Sequence, residues 1–280
     1  MSQEFELIKL PSPHRHENPG YFALGDLPQR KPLGDAALGT GWWELDQIFK
    51  LYEGQFIVVS GAAGSGKSTF LFNLVCNVAR VSGLRSFLYV PENEGLVRGT
   101  LKDIWGERGG FEYFCSDQCF VQSSVPLSAN DPPRSLNWIL TSAAVAVERD
   151  SVGLCLIDPW NEIEHAKAKD VSMPDFIGQC IMEVKQFCRY FGVTVIMVAH
   201  PVKSAIMEGR VPGLYDIDGS AHWANKADNG LIVARDSEGP GTRIISRKVR
   251  ERGAGKVGEC HFHVNDKTGL FTPITGAVSL

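Results

Sequence analysis

Short apolar runs that end in polar residues alternate along this chain with stretches in which apolar side chains recur every three or four positions. Phe56-Ile57-Val58-Val59-Ser60 is the first such run, β-rich and preceded by the turn signal Glu53-Gly54. Behind it, Phe70, Leu71, Leu74, Val75 and Val78 fall at helical spacing. Ser86-Phe87-Leu88-Tyr89-Val90, Gly153-Leu154-Cys155-Leu156-Ile157 and Val193 to Ala199 predict three more buried strands. Phe176, Ile177, Ile181, Val184, Phe187 and Cys188 predict a crossover helix over 175–190. Two further strands are expected at 231–235 and 244–249, and a hairpin of 261–265 and 270–273 around Asp266-Lys267-Thr268-Gly269. Alternating β and α elements imply an α/β fold with a mostly parallel central sheet flanked by helices and a C-terminal β-hairpin.

Two regions break the pattern. Residues 1–39 hold five of the fifteen prolines (Pro11, Pro13, Pro19, Pro28 and Pro32) and no apolar period. The expected organisation is therefore an arm over 1–37, extended rather than a long helix, and one globular domain over 38–280, opening at Gly39-Thr40-Gly41-Trp42. Residues 201–229 carry no strand signal but contain Gly209, Pro212, Gly213 and Gly219 with the cations Lys203, Arg210 and Lys226. A loop of that length in a compact domain is usually functional or disordered.

Composition narrows the classes. A formal charge of −4 argues against a surface that coats nucleic acid throughout, and leaves room for a local basic path. Arg247, Lys248, Arg250, Arg252 and Lys256 cluster around the 244–249 strand, where charge can also simply guard a sheet edge. Seven cysteines, with Cys115 and Cys119 lacking a matching second pair, read as free thiols rather than a zinc site. No apolar run approaches the roughly 20 residues of a membrane span, and the start of the chain lacks the features of a signal peptide. The expectation is a cytoplasmic protein with no membrane partner.

The chemistry centres on Gly61-Ala62-Ala63-Gly64-Ser65-Gly66-Lys67-Ser68, with Thr69 following, which fits G-x-x-x-x-G-K-[ST] at every fixed position. Glycines let the backbone curl so that N–H groups converge on phosphate oxygens at the positive end of the next helix. Lys67 is placed to reach the β- and γ-phosphates of ATP or another nucleoside triphosphate, and Ser68 to ligate Mg²⁺. Three strands then end in polar groups on the edge where an open parallel sheet binds ligands: Glu92 after the second, Asp158 after the third, His200 after the fourth. Asp158 has the form of a Walker B acid acting on the metal.

With these residues in place, the chain resembles the motor domain of ring-forming replicative helicases of the DnaB class, in the phage primase-helicase and Twinkle-like branch. The resemblance covers about residues 38–274. It is carried by the P-loop together with Gly39-Thr40-Gly41-Trp42, Leu45-Asp46, Pro91-Glu92-Asn93, Ile157 to Glu162, Val198-Ala199-His200-Pro201, Tyr215 to Trp223, Asn225 to Asn229 and Lys248-Val249-Arg250. It implies a RecA-like P-loop NTPase that hydrolyses ATP with Mg²⁺ and unwinds DNA in the 5′→3′ direction as a homo-oligomeric ring, a hexamer, on single-stranded DNA. Implied roles are Glu92 as general base, Asp158 as metal holder through water, His200 as γ-phosphate sensor and Arg250 as an arginine finger reaching the neighbouring subunit, with Lys248 beside it. Lys203 and Arg210 fall where the family faces DNA. The family also works with a primase or other replication protein. The chain departs from it in offering only a proline-rich arm ahead of the motor. Two other readings stay open: a RecA- or RadA-like DNA-dependent ATPase that does not unwind processively, and a nucleotide-dependent module that loads or regulates a helicase. A base and a finger speak against the last.

Overall fold

The computed structural model describes Leu24 and residues 33–126, 131–236 and 241–279. Most of the expected arm lies outside the described residues; within its last part, Leu33–Ala36 forms one helical turn.

The strands are β1 (Phe56–Ser60), β2 (Arg85–Tyr89), β3 (Cys119–Val121), β4 (Val152–Ile157), β5 (Thr194–Val198), β6 (Asn229–Arg235), β7 (Gly241–Val249), β8 (Gly258–Val264) and β9 (Phe271–Ser279). They form one nine-stranded sheet in the order β3-β2-β4-β5-β1-β6-β7-β8-β9. From β3 through β6 every pairing is parallel, and β7, β8 and β9 add on antiparallel.

Central strands read as unbroken apolar runs because both sheet faces are covered. Alternation along each strand divides its side chains between two cores. Ile57 and Val59, Leu154 and Leu156, and Ile196 and Val198 pack on one face with Phe70, Leu74 and Val78 of the helix Lys67–Ser82. Phe56 and Val58, Cys155 and Ile157, and Val195 and Met197 pack on the other with the helices Leu136–Asp150 and Met173–Phe191. These last two helices begin at Ser135 and Ser172, whose hydroxyls accept from Trp138 N and Asp175 N.

The opening Gly39-Thr40-Gly41-Trp42 stretch has a structural reason. Asp46 Oδ1 accepts from both the backbone N and the hydroxyl of Thr40, each at 2.7 Å. Trp42, thus fixed, stacks on Phe70 at 5.8 Å and meets the edge of Phe262 at 5.1 Å. At the other end of the chain, the β8–β9 turn is locked by Asn265 Oδ1, which accepts from Lys267 N and Thr268 N. The side chain of Asn73, in the helix after β1, bonds Gly269 O at 2.8 Å and Phe271 N at 3.0 Å, latching the hairpin to that helix.

The structure differs from the sequence expectation in four places. β3 and the helices Val97–Trp105 and Leu136–Asp150 were not among the predicted elements. The stretch 201–229 is not plain loop: it contains the helices Lys203–Met207 and His222–Lys226, a turn at Leu214–Asp216 and a bridge between Pro201 and Ile217. Fully buried Trp223 pins it, meeting the edge of Trp160 at 5.4 Å and donating Nε1–H to Asp218 O. No helix among the described residues is long and apolar enough to cross a membrane.

Candidate active site

Strand order assembles the site. β2, β4, β5 and β1 are consecutive neighbours running the same way, so the residues that follow each strand emerge side by side on one edge. Those residues are Glu92, Asp158, His200 and the loop 61–68.

The loop needs its glycines. Gly61, Gly64 and Gly66 have φ of +148°, +70° and +93°, a region side chains other than hydrogen rarely adopt. A Cβ at Gly61 would stand 2.1 Å from Val233 O, so the loop passes too close to β6 for any other residue. Lys67 opens the helix behind the loop, and its ammonium donates to Gly61 O at 3.0 Å and Ala62 O at 2.9 Å. Gly66 caps that helix with its carbonyl, which accepts from Phe70 N. Thr69 turns toward the hairpin, where its methyl lies against Gly269.

Charges converge here. Burial lowers the Lys67 pKa, and the carboxylates of Asp158 and Glu92 oppose that shift. Burial pushes the Asp158 carboxyl up, against a hydrogen bond from Ser68 and the charge of Lys67, while Glu92 raises it further. His200 is driven down by burial and by Lys67, which keeps its imidazole neutral at pH 7. The structure thus brings Lys67, Ser68, Glu92, Asp158 and His200 into one electrostatic neighbourhood.

A divalent cation fits these residues. Asp158 Oδ2 is buried with no hydrogen-bond partner among the described residues, and the Ser68 hydroxyl stands beside the same carboxylate. A hydroxyl and a carboxylate with a spare oxygen are the hard ligands that Mg²⁺ takes.

Lys248 and Arg250 do not join this cluster. Asn229, at the start of β6, pairs with Ile57 at the start of β1 on one side and with Val249 on the other. Both cations therefore lie at the sheet end opposite the P-loop. Lys248 Nζ donates to Ala224 O and Asn225 O, and Arg250 Nη2 donates to Asn225 O at 3.2 Å and Ala227 O at 3.3 Å. Asp228 is the hub: it accepts from Phe56 N at 3.0 Å and pairs with both Lys185 and Arg250.

Lys203 and Arg210 lie just past His200. Lys203 is exposed at the start of its short helix. Arg210 is bound within its own loop, forked onto Asp216 at 2.5 and 2.7 Å and paired with Glu208 at 2.6 Å. Val202 N donates to Asp216 O and Asp218 N to His200 O, so the loop is stitched to the end of β5.

Sequence reasoning missed Arg235. The last residue of β6, it donates Nε–H to Gly64 O at 2.9 Å and so touches the P-loop directly. Its only sequence signal was its position at the end of an apolar run; which loop it meets depends on β6 lying beside β1.

The profile of the AAA domain matches residues 44–205. The sequence is 29% identical over 263 residues to the Twinkle homolog protein, chloroplastic/mitochondrial, of Arabidopsis thaliana, a match covering 85% of this chain and 37% of that protein. The chain therefore spans little more than a third of that relative's length. Among solved structures, one described as an ATPase domain superposes with a TM-score of 0.71 at 18% identity, over 85% of this chain and 91% of that one. A DnaB-like replicative helicase, from a structure describing its interactions with primase, superposes with a TM-score of 0.68 at 19% identity, over 84% and 61%. At these identities the likeness is one of fold, an α/β domain with a large, mostly parallel sheet.

Proposed function

The chain belongs to the AAA domain family, and on that premise we propose that it is the ATP-driven motor of a replicative DNA helicase, moving 5′→3′ on single-stranded DNA as a homo-hexameric ring with hydrolysis at subunit interfaces. The observation that carries this reading is the shared neighbourhood of Lys67, Ser68, Asp158, Glu92 and His200, with Arg250 at the far end of the sheet.

The triphosphate lies against the backbone N–H groups of 61–68, with the Lys67 ammonium on its β- and γ-oxygens. Ser68 and Asp158 would hold Mg²⁺, which supplies positive charge at the phosphates. Glu92 is exposed, which leaves its carboxylate open to water; it orients the attacking water and takes its proton as the bond to the γ-phosphorus forms and the bond from that phosphorus to the β–γ bridging oxygen breaks, releasing ADP. Neutral His200 hydrogen-bonds the γ-phosphate and, through its carbonyl bond to Asp218 N, conveys its loss to the 201–220 segment. Arg250, with Lys248 beside it, serves the site of the next subunit rather than its own; such a finger is worth on the order of 10³-fold or more in rate.

Single-stranded DNA lies against the 201–220 segment. Exposed Lys203 supplies its charge, and Arg210, neutralised by Glu208 and Asp216, mainly holds the segment's shape. Several copies of a lightly charged loop around one strand reconcile DNA binding with an acidic chain. A separate primase or replication protein would work beside the motor.

Unwinding of a forked duplex with a 5′ tail, dependent on ATP and abolished by Glu92→Gln, is the expected result. DNA-stimulated hydrolysis with no strand displacement would instead favour an ATPase that remodels DNA without unwinding it.

A further inference from the structure

Glu92 makes no hydrogen bond or ion pair with any described residue. Its carboxylate is therefore aimed by its backbone, a short turn over Pro91–Asn93 held by Asn93 N donating to Val90 O at 2.9 Å. What holds that turn against the rest of the edge lies two residues on.

The Glu94 carboxylate accepts three hydrogen bonds from the segment that follows β3: from Ser123 Oγ at 2.5 Å, Ser124 Oγ at 2.5 Å and Ser124 N at 2.8 Å. That segment is itself secured, because Ser124 O accepts from Arg134 Nε at 3.1 Å. Arg134 is buried, lies over the Trp138 ring at 4.5 Å and donates to Pro132 O and Asp131. Its backbone exchanges a pair of bonds with Glu164, Arg134 N to Glu164 Oε1 and Glu164 N to Arg134 O, each at 3.0 Å. Glu164 follows the turn Trp160–Glu162 in the segment that leaves β4 through Asp158. One connected bracket thus runs from the turn bearing Glu92 to the segment that follows Asp158.

We propose that Glu94 is a positioning residue for Glu92, bracing its turn through Ser123, Ser124 and Arg134 to the segment that carries Asp158. This rests on the reading of Glu92 as the base. Partial burial disfavours the Glu94 carboxylate, but the two serines and nearby Arg134 outweigh it and hold its pKa below the usual range. The bracket is thus strongest with Glu94 ionised, as it is at neutral pH.

A double-mutant cycle on the full chain with ATP tests it. Glu94→Ala removes all three acceptor contacts, and with them the bracket, while leaving Lys67 and the loop intact. Loosening a reacting group by a fraction of an ångström can cost roughly tenfold or more, so kcat should fall about tenfold with KM for ATP and the affinity for a fluorescent ATP analogue unchanged. In the Glu92→Gln background, the same change should cost nothing further in residual turnover, because the group it positions is gone. An equal loss in both backgrounds, or wild-type kcat in Glu94→Ala, overturns the proposal. Wild-type turnover by Glu92→Gln overturns the reading of Glu92, and this proposal with it. Should Glu94→Ala melt early, Ser124→Ala removes one donor hydroxyl and carries the same cycle with a smaller loss.

Discussion

Arg250 Nε lies 3.1 Å from Asp228 Oδ1, and that pair stands at the end of β1 opposite Lys67. With β1 five residues long, the two ends are about 15 Å apart along the strand. An arginine so placed serves no phosphate in its own P-loop, while the carbonyls of 225–227 and Asp228 keep it pointed in a fixed direction. In the proposed function Arg250 acts on a neighbour, and that division of the site between two copies is the core of the functional proposal.

Lys67→Ala should raise the dissociation constant for ATP at least about 100-fold, since a charge-assisted contact to the phosphates is lost. The fold should survive, because burial disfavours the Lys67 charge in the folded state and the substitution removes that cost. Nucleotide titration alongside a thermal melt checks both halves.

Asn73→Ala should destabilise the domain without touching the phosphate contacts. Asn73 is buried, and its loss leaves Gly269 O and Phe271 N without the partner that latches the hairpin to the P-loop helix. Orphaned buried groups of this kind cost about 1–3 kcal/mol each. The denaturation midpoint should fall accordingly, and Asn73→Asp, which sets a buried carboxylate oxygen against the carbonyls of Thr69 and Gly269, should lose at least as much.

The pH dependence of stability has a defined sign. His200 has a folded pKa below its ordinary 6.5, through burial and then Lys67, so between the two values the unfolded chain binds more protons. Stability attributable to His200 is therefore full above pH 6.5 and is lost as pH falls through the folded value. His165, also lowered by burial, adds to the same trend. Melting temperatures from pH 8 to pH 5 should fall less steeply for His200→Gln than for the parent chain.

Lys203→Ala and Arg210→Ala should weaken single-stranded DNA binding in different ways. Removing a phosphate contact by Lys203 lowers the slope of log affinity against log salt by about 0.7 per contact. Arg210 is already paired with Glu208 and Asp216, so its loss should reduce affinity by loosening the loop, with little change in slope. Binding titrations across salt concentrations separate the two.

The placement of Lys67, Ser68, Glu92, Asp158 and His200 on one sheet edge was readable from the chain because these residues sit where short-range signals are strong. An apolar run followed by Glu92, Asp158 or His200 states both a buried strand and the group at its end. The P-loop glycines are dictated by positive φ and by Val233 O crowding Gly61. β3 was not legible: three residues are too few for alternation, and they follow a π-helical turn at Phe114–Gln118. The helix Leu136–Asp150 does bury Leu136, Ile139, Leu140, Ala143 and Ala146 at helical spacing, but small alanines weaken the contrast on which such a reading depends. Arg235 and Glu94 were hidden for another reason. Their partners, Gly64 and Ser123-Ser124, are distant in sequence and meet them only through strand order.

The most direct test mixes two variants. Lys67→Ala removes the P-loop function and Arg250→Ala the finger; alone, each should hydrolyse ATP at a small fraction of the parent rate in the presence of single-stranded DNA. If one site is built from two subunits, mixing them creates interfaces with an intact Lys67 on one side and an intact Arg250 on the other, and turnover should recover in part. Wild-type turnover by Arg250→Ala alone, or no recovery on mixing while both variants co-assemble, would contradict hydrolysis at a shared interface.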